Sequence, residues 1–279
     1  PSLEPWFPQN AVVSFLKIRA SYGEVGNDQL GASRRYYYLP NTWNLNQKGY
    51  WLGDADGTSP NAYYPGAVEG SLGNPDITWE RARKYDVGIE SKFLRSRLSA
   101  DFDWFYERRD NILTTLGIIP AIYGVPQDDV PPANVGITTN KGYELVLGWT
   151  DKAGSLIYTL GADISYARNK IVYMAEADHP YKWMDKTGHM IGQRYGLTSD
   201  GLFNTAEELA ARPFNTYTGN QATLGDIRYK SLDGNDVIDQ NDIGPIGYPN
   251  YALLHFNFKM QFGWKGFDLK LLFTGSRNG

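Results

Sequence analysis

The lengths of the connections constrain this chain more than any other feature. Short segments in which large apolar residues alternate with polar ones are joined by connections that run long, short, long, short, long, short. Residues 15–22 place Leu16, Ile18, Ala20 and Tyr22 on one face, against Lys17, Arg19 and Ser21. An irregular stretch follows to about residue 79, and then Tyr85, Val87 and Ile89 alternate with Asp86, Gly88 and Glu90. The short turn at 94–97 leads to Leu98, Ala100, Phe102, Trp104 and Tyr106, opposite Ser99, Asp101 and Asp103. A Pro-broken connection at about 108–139 precedes Tyr143, Leu145, Leu147 and Trp149, and the turn at 151–154 precedes Tyr158, Leu160, Ala162, Ile164 and Tyr166. The longest connection, from 167 to about 251, leads into a hairpin. Leu254, Phe256, Phe258, Met260 and Phe262 form its first apolar row; Phe267, Leu269, Leu271 and Phe273 form its second, across Gly263-Trp264-Lys265-Gly266. A period of two gives strands whose side chains alternate between two faces.

About seven antiparallel strands with short turns at one end and long loops at the other match outer-membrane barrels, whose outward row is apolar and flanked by aromatic girdles. Tyr22, Tyr106, Trp149, Tyr166 and Trp264 stand at strand ends, where girdles belong. The fold expected is all-β: an antiparallel transmembrane β-barrel with long extracellular loops, incomplete because an odd strand count does not close a bacterial barrel. A secreted β-sandwich with elaborate loops shares the periodicity, but structureless loops of this length are uncommon in compact domains. No apolar run is long enough for a membrane-crossing helix. Both ends read as cuts through a larger protein, so the chain is expected to be a piece of one. Residues 205–212 read as a short helix capped by Thr205.

Composition removes other classes. The formal charge of −4 lacks the basic face of a nucleic-acid binder. The absence of cysteine excludes disulfides and thiol chemistry. Asp101 and Asp103 share one strand face as a glycosidase pair might, but lack the apolar surround that raises a carboxyl pKa, and read as wet lumen residues. His179, His189 and His255 show no metal-ligand spacing, and residues 23–27 lack the Lys-Ser/Thr and helix of a phosphate loop. No catalytic residue is assigned.

Two groups remain as binding candidates. Tyr37, Trp43, Tyr50, Trp51 and Tyr63 lie in one long loop, where aromatic faces beside Asn and Asp suit sugars or peptides as well as loop self-packing. Ser231, Asp233, Asn235, Val237 (through its carbonyl), Asp239 and Asp242 have the spacing of a Ca²⁺ loop. Ser231 replaces the usual first carboxylate, Asp236 stands where glycine makes the sharp turn, and Asp242 is shorter than the usual Glu. An Asx-rich turn needing no metal accounts for the same residues, so a structural Ca²⁺ is the one cofactor in question and none is required.

Several motifs, in order along the chain, resemble the barrel half of SusC/RagA-type TonB-dependent transporters. They are Arg19-x-Ser21-Tyr22-Gly23-x-x-Gly26-Asn27, residues 73–80 (GNPDITWE), Asn134-Val135-Gly136, and residues 140–144 (NKGYE). Tyr195-Gly196, Asp200-Gly201-Leu202-Phe203, residues 225–230 (GDIRYK) and Ile246-Gly247-x-Pro249-x-Tyr251 continue the series. The resemblance implies residues 1–279 of a C-terminal barrel domain in the outer membrane of a Bacteroidetes-type cell. Plug domain, TonB box and terminal strands would lie outside it. It also implies import of an oligosaccharide or peptide, with a SusD-like surface lipoprotein and TonB as partners and membrane lipid around the wall. A siderophore or cobalamin receptor would share the barrel and differ in ligand. A secreted glycan-binding or glycan-cleaving protein is the reading from another class.

Overall fold

The computed structural model of the protein describes residues 4, 7, 12–28, 38–39, 43–52, 62–70, 72–117, 130–219 and 221–277. In chain order its strands are β1 (Val13–Asn27), β2 (Trp43–Leu52), β3 (Ala62–Glu69), β4 (Glu80–Phe93), β5 (Leu98–Thr114), β6 (Ala133–Ala153), β7 (Leu156–Tyr173), β8 (Arg194–Leu197), β9 (Ser199–Leu202), β10 (Phe214–Asn215), β11 (Ile227–Tyr229), β12 (Val237–Ile238), β13 (Ile243–Ile246), β14 (Leu254–Trp264) and β15 (Phe267–Arg277). One short helix, α1 (Ala206–Ala210), lies between β9 and β10. Seven strands form a single antiparallel sheet in the order β1-β4-β5-β6-β7-β14-β15, and the others pair in twos within the long connections.

The register turns the alternation into two continuous surfaces. Ile18, Ile89, Phe102, Leu145, Ile164, Phe256 and Gly275 stand side by side across all seven strands. The next row on the same face is Leu16, Ser91, Ala100, Leu147, Ala162, Phe258 and Phe273. Ile18, Ile89, Phe102, Leu147, Phe258 (44%) and Phe273 (54%) stay exposed and Leu16, Leu145, Ile164 and Phe256 half-buried, with no second sheet over them among the described residues. A sandwich would bury this face, whereas a barrel wall turns it to lipid. The ten steps from Leu254 to Trp264 span about 34 Å, or about 26 Å along the membrane normal at a tilt of ~40°, close to the apolar band of an outer-membrane barrel.

An aromatic belt closes the band at the loop end. Tyr22 meets Tyr85 with ring centroids 5.0 Å apart, Tyr85 meets Tyr106 at 6.1 Å, and Trp104 stacks on Tyr106 at 6.4 Å. Tyr143 and Tyr166 continue it at 5.5 Å. Beyond the belt the outward face turns charged. Arg83 lies 3.8 Å from Glu24 and 3.6 Å from Asp110, and Arg108 bonds Asp110 at 2.9 Å. Both faces are wet there, so the period of two disappears while the ladder continues. For that reason β4, β5, β6 and β7 extend beyond the segments expected from alternation, and β5 and β6 together shorten the 108–139 connection.

The opposite face carries the polar row. Lys17 bonds Glu90 at 2.9 Å, Lys84 lies 3.4 Å from Glu107, and Lys259 pairs with Asp163. Arg19 reaches across β4 to Asp103 on β5, passing over Gly88, where a Cβ would strike both side chains. Asp103, once weighed as half of a carboxylate pair, is thus an ion-pair partner. Such exposed pairs contribute about 0–1 kcal/mol each, so the ladders and the apolar face, not the ions, hold the wall.

At the short-turn end, Leu94, Arg95 and Ser96 all adopt positive φ (53°, 59° and 66°) to join β4 to β5. The 195–251 part of the longest connection is not structureless. Phe203 and Ile238 are buried within it. Helix α1 begins as expected at Thr205, whose hydroxyl accepts from the Glu208 amide at 3.2 Å while the Glu208 carboxylate receives the Asn204 and Thr205 amides. The Asn204 amide, then Thr205 and Arg228, hold the Glu208 carboxyl below the usual carboxylate range.

Candidate functional site

Several motifs widely separated in sequence meet as pairs. The Thr78 amide donates to the Asn134 Oδ1 at 2.9 Å, and the Asn134 Nδ2 donates to the carbonyls of Thr78 and Asn111, each at 2.8 Å. Asn74 caps its own turn by accepting the Asp76 amide at 3.0 Å and donates to the Pro132 carbonyl at 2.9 Å. The 73–80 motif is therefore stapled to the start of β6 and the residue before it. Likewise β9, bearing Asp200-Gly201-Leu202, pairs with β11 of the GDIRYK motif; Arg228 donates to the Asp200 carbonyl at 2.7 Å and lies 3.4 Å from both the Asp200 and the Glu208 carboxylates. Tyr195-Gly196 on β8 pairs with β13 ahead of Gly247. Asn134→Ala removes three hydrogen bonds at a partly exposed position and is expected to cost about 1–3 kcal/mol locally. Faster hydrogen exchange at Thr78, with the β4–β5 ladder unchanged, is the expected reading in the full-length protein. Unchanged exchange at Thr78 would show that the clamp does not order this loop.

Of the aromatic candidates, Tyr37 lies outside the described residues. Tyr50, Trp51 and Tyr63 lie at one end of the β2–β3 pair, where Tyr50 stands opposite Tyr64 and Trp51 opposite Tyr63, whereas Trp43 stands at the other end, opposite Glu69. Trp51 and Tyr63 face each other with centroids 5.3 Å apart, and the Tyr63 hydroxyl accepts the Gly49 amide at 2.7 Å. Gly49 admits no side chain, since a Cβ would overlap the Tyr64 carbonyl. Exposures of 63% for Trp43, 77% for Tyr50 and 70% for Trp51 leave ring faces open for stacking.

The six Ca²⁺-loop candidates share one turn that is already held by amide donors. Asp233 accepts from Ser231 at 3.1 Å and from the Asn235 side chain at 2.9 Å, and Asn235 accepts the Val237 amide at 2.7 Å. Asp239 accepts the Asn241 amide at 2.7 Å. Asp242, fully buried, takes the Leu232 amide at 2.6 Å on one oxygen and the Asp239 amide at 2.9 Å on the other. Asp236 adopts φ 58°, the conformation for which a Ca²⁺ loop uses glycine. These side-chain hydrogen bonds are those of an Asx-rich turn.

Two features were not visible in the sequence. A cavity of about 520 Å³ opens in the loop between β7 and β14, lined by Phe203, Arg212, Asn215, Tyr217, Gln221 and Tyr229. These residues are spread over β10, β11 and the turns between short elements, without periodicity, so only the fold assembles them. In the same connection, ligand-type atoms of Glu176, His179 and Asp185 gather within 4.8 Å of one another. They are already partnered: His179 Nδ1 lies 3.0 Å from Asp185, and Glu176 accepts the Lys186 and Thr187 amides at 2.9 and 2.8 Å. The His179 contact, with Lys182 adding to it, holds the Asp185 carboxyl low. Burial opposes ionisation of Glu176, but the Thr187 hydroxyl and these amides outweigh it and hold it low as well. Both contributions are therefore present above the ordinary carboxylate range and fade as pH falls through the lowered values.

Among curated proteins the chain is similar to TonB-dependent receptor P26 of Formosa agariphila (24% identical, covering 94% of this chain and 25% of that one). It is also similar to TonB-dependent receptor SusC of Bacteroides thetaiotaomicron (22% identical, 96% and 25%). The chain thus spans about a quarter of the length of the curated relatives it matches. Among solved structures, the RagAB peptide importer in its open-open state superposes with a TM-score of 0.68 at 18% identity, over 98% of this chain and 27% of that one. The RagAB peptide transporter gives 0.64 at 18% identity, over 97% and 27%. These likenesses extend along the whole sheet and its loops. With residues 5–275 matching the TonB dependent receptor-like β-barrel, the chain belongs to that family.

Proposed function

We propose that this chain supplies wall and outer loops to an outer-membrane, TonB-dependent importer of oligosaccharides or peptides. The observation that carries the reading is the two-faced sheet: a predominantly apolar surface across all seven strands closed by an aromatic belt, backed by a polar, ion-paired surface that faces a wet lumen. The β2–β3 aromatics and the cavity beside α1 are the ligand-contacting surfaces in this reading, held under a SusD-like lipoprotein. The plug and TonB box belong to other parts of the full-length protein, of which residues 1–279 are barrel domain. The chain's role is binding and passage, without bond chemistry.

The full-length protein is expected in the outer-membrane fraction, requiring detergent for extraction. Purified with its lipoprotein partner, it is expected to bind members of an oligosaccharide or peptide panel. Combined Trp43→Ala, Tyr50→Ala and Trp51→Ala substitutions are expected to weaken binding by about tenfold or more. A monodisperse folded monomer obtained without detergent would sink the importer reading.

A further inference from the structure

The outward face at belt height is not uniform. On β1, β4 and β5 the belt row is Tyr22, Tyr85 and Tyr106, and the same row continues onto β6 and β7 as Lys141 and Arg168. One row further toward the loops, Thr139 on β6 stands beside Lys170 on β7. On the first three strands every outward arginine beyond the belt has an acid: Arg81 and Arg83 meet Glu24, and Arg108 meets Asp110. Lys141, Arg168 and Lys170 have no carboxylate within 4.0 Å among the described residues, and all three are exposed. Three uncompensated cations thus sit together on the outward face of a chain whose formal charge is −4.

They also line a built recess. A cavity of about 350 Å³ is bounded by Tyr106 and Thr139 on one side, by the three cations, and by His189 on the other. The wall bearing His189 is fixed by ladder bonds to β7: the Ile171 amide donates to the His189 carbonyl, and the Gly188 amide to the Ile171 carbonyl, each at 2.8 Å. Guanidinium and ammonium groups held beside hydroxyls suit a phosphate, since Arg binds its oxygens in a fork and Lys as a point charge. Long basic side chains at the edge of the apolar band extend their stems along it and present their charges at headgroup height.

We infer that the Lys141, Arg168, Lys170 recess binds the phosphate of a lipid headgroup in the leaflet on the loop side of the membrane. The inference rests on the outer-membrane reading above. It assigns the wall a fixed lipid contact at β6 and β7, where cations stand one row beyond Tyr143 and Tyr166.

The test uses the full-length protein in detergent, probed with monophosphoryl lipid A by native mass spectrometry. Wild type is expected to carry the lipid. Lys141→Gln, Arg168→Gln and Lys170→Gln combined are expected to weaken binding by about a hundredfold, at about one kcal/mol per basic residue. Lys265→Gln, at the short-turn end, is expected to leave binding unchanged. Heat-modifiable migration on electrophoresis confirms that each variant is folded, and Arg168→Lys is expected to retain part of the binding. Weakening of less than about twofold in the folded triple variant overturns the inference. So does equal binding of the dephosphorylated lipid, or displacement by inorganic phosphate at matched concentration, which would give the recess to a soluble anion. Failure of the wild type to partition into membranes would instead overturn the barrel reading, so the two failures are distinguishable.

Discussion

Phe258→Arg is expected to cost about 2–4 kcal/mol in folding of the full-length protein into phosphatidylcholine vesicles, because it sets a charge near the middle of the lipid-facing band. Phe258 lies on β14 between Ala162 of β7 and Phe273 of β15, four residues from Leu254 at the belt and six from Trp264 at the short-turn end. A guanidinium at that height cannot reach either interface without bending its stem over several rows. Phe258→Leu is the control and is expected to cost less than about 1.5 kcal/mol, as a hydrophobic swap. The inward neighbour offers a second comparison. Lys259→Gln breaks a pair with Asp163 on the wet face, where the expected loss is about 0–1 kcal/mol. Urea titration of vesicle-inserted protein reads all three. An arginine tolerated as well as leucine would mean that this face does not meet lipid.

Asp242→Ala has the second large effect expected, and it is confined to the loop. The side chain is wholly buried, and its two oxygens receive the Leu232 and Asp239 amides. Truncation strands both donors at about 1–3 kcal/mol each, so a local loss of about 2–6 kcal/mol is expected. Hydrogen exchange at residues 231–242 is expected to become fast, and a protease is expected to cut there, while heat-modifiable migration of the barrel persists. The same exchange measurement decides what holds the turn in the wild type. With the carboxylates satisfied by amides, a chelator is expected to leave protection at Leu232 unchanged. Protection lost on chelation would assign the turn to a cation.

The wall was legible in the sequence because lipid imposes a period of two on one face and the lumen imposes the complementary row. Where β4–β7 rise beyond the Tyr22, Tyr85 and Tyr106 row, both sides meet water, the constraint lapses, and the strands run on unseen. The β2–β3 hairpin hid for a related reason: positive φ at Asn46 and Lys48 breaks its alternation with bulges. In the longest connection the paired strands are two to four residues long, below the length at which periodicity speaks. The family motifs there were legible as resemblance, but not as partners of one another. The loop cavity and the outward cations needed the register itself, since neighbours such as Lys141 and Arg168 are joined only by the β6–β7 pairing. Tyr37 lies outside the described residues; of the remaining aromatic candidates, Tyr50, Trp51 and Tyr63 share one end of the β2–β3 pair and Trp43 stands at the other.

The connection between β7 and β14 leaves and re-enters the wall on adjacent strands, whose ladder runs unbroken from Leu254 beside Tyr166 to Trp264 beside Leu156. Its length is therefore invisible to the barrel's shear. Lengthening such an excursion costs only the slow logarithm of loop closure, about 0.6 kcal/mol per doubling, and the excursion carries part of its own core in Ile238 and Phe203. A wall of this kind can accept a different excursion at the same two anchor points while its membrane-facing rows keep their register. In the importer reading proposed above, evolution of ligand preference is thereby uncoupled from evolution of the pore.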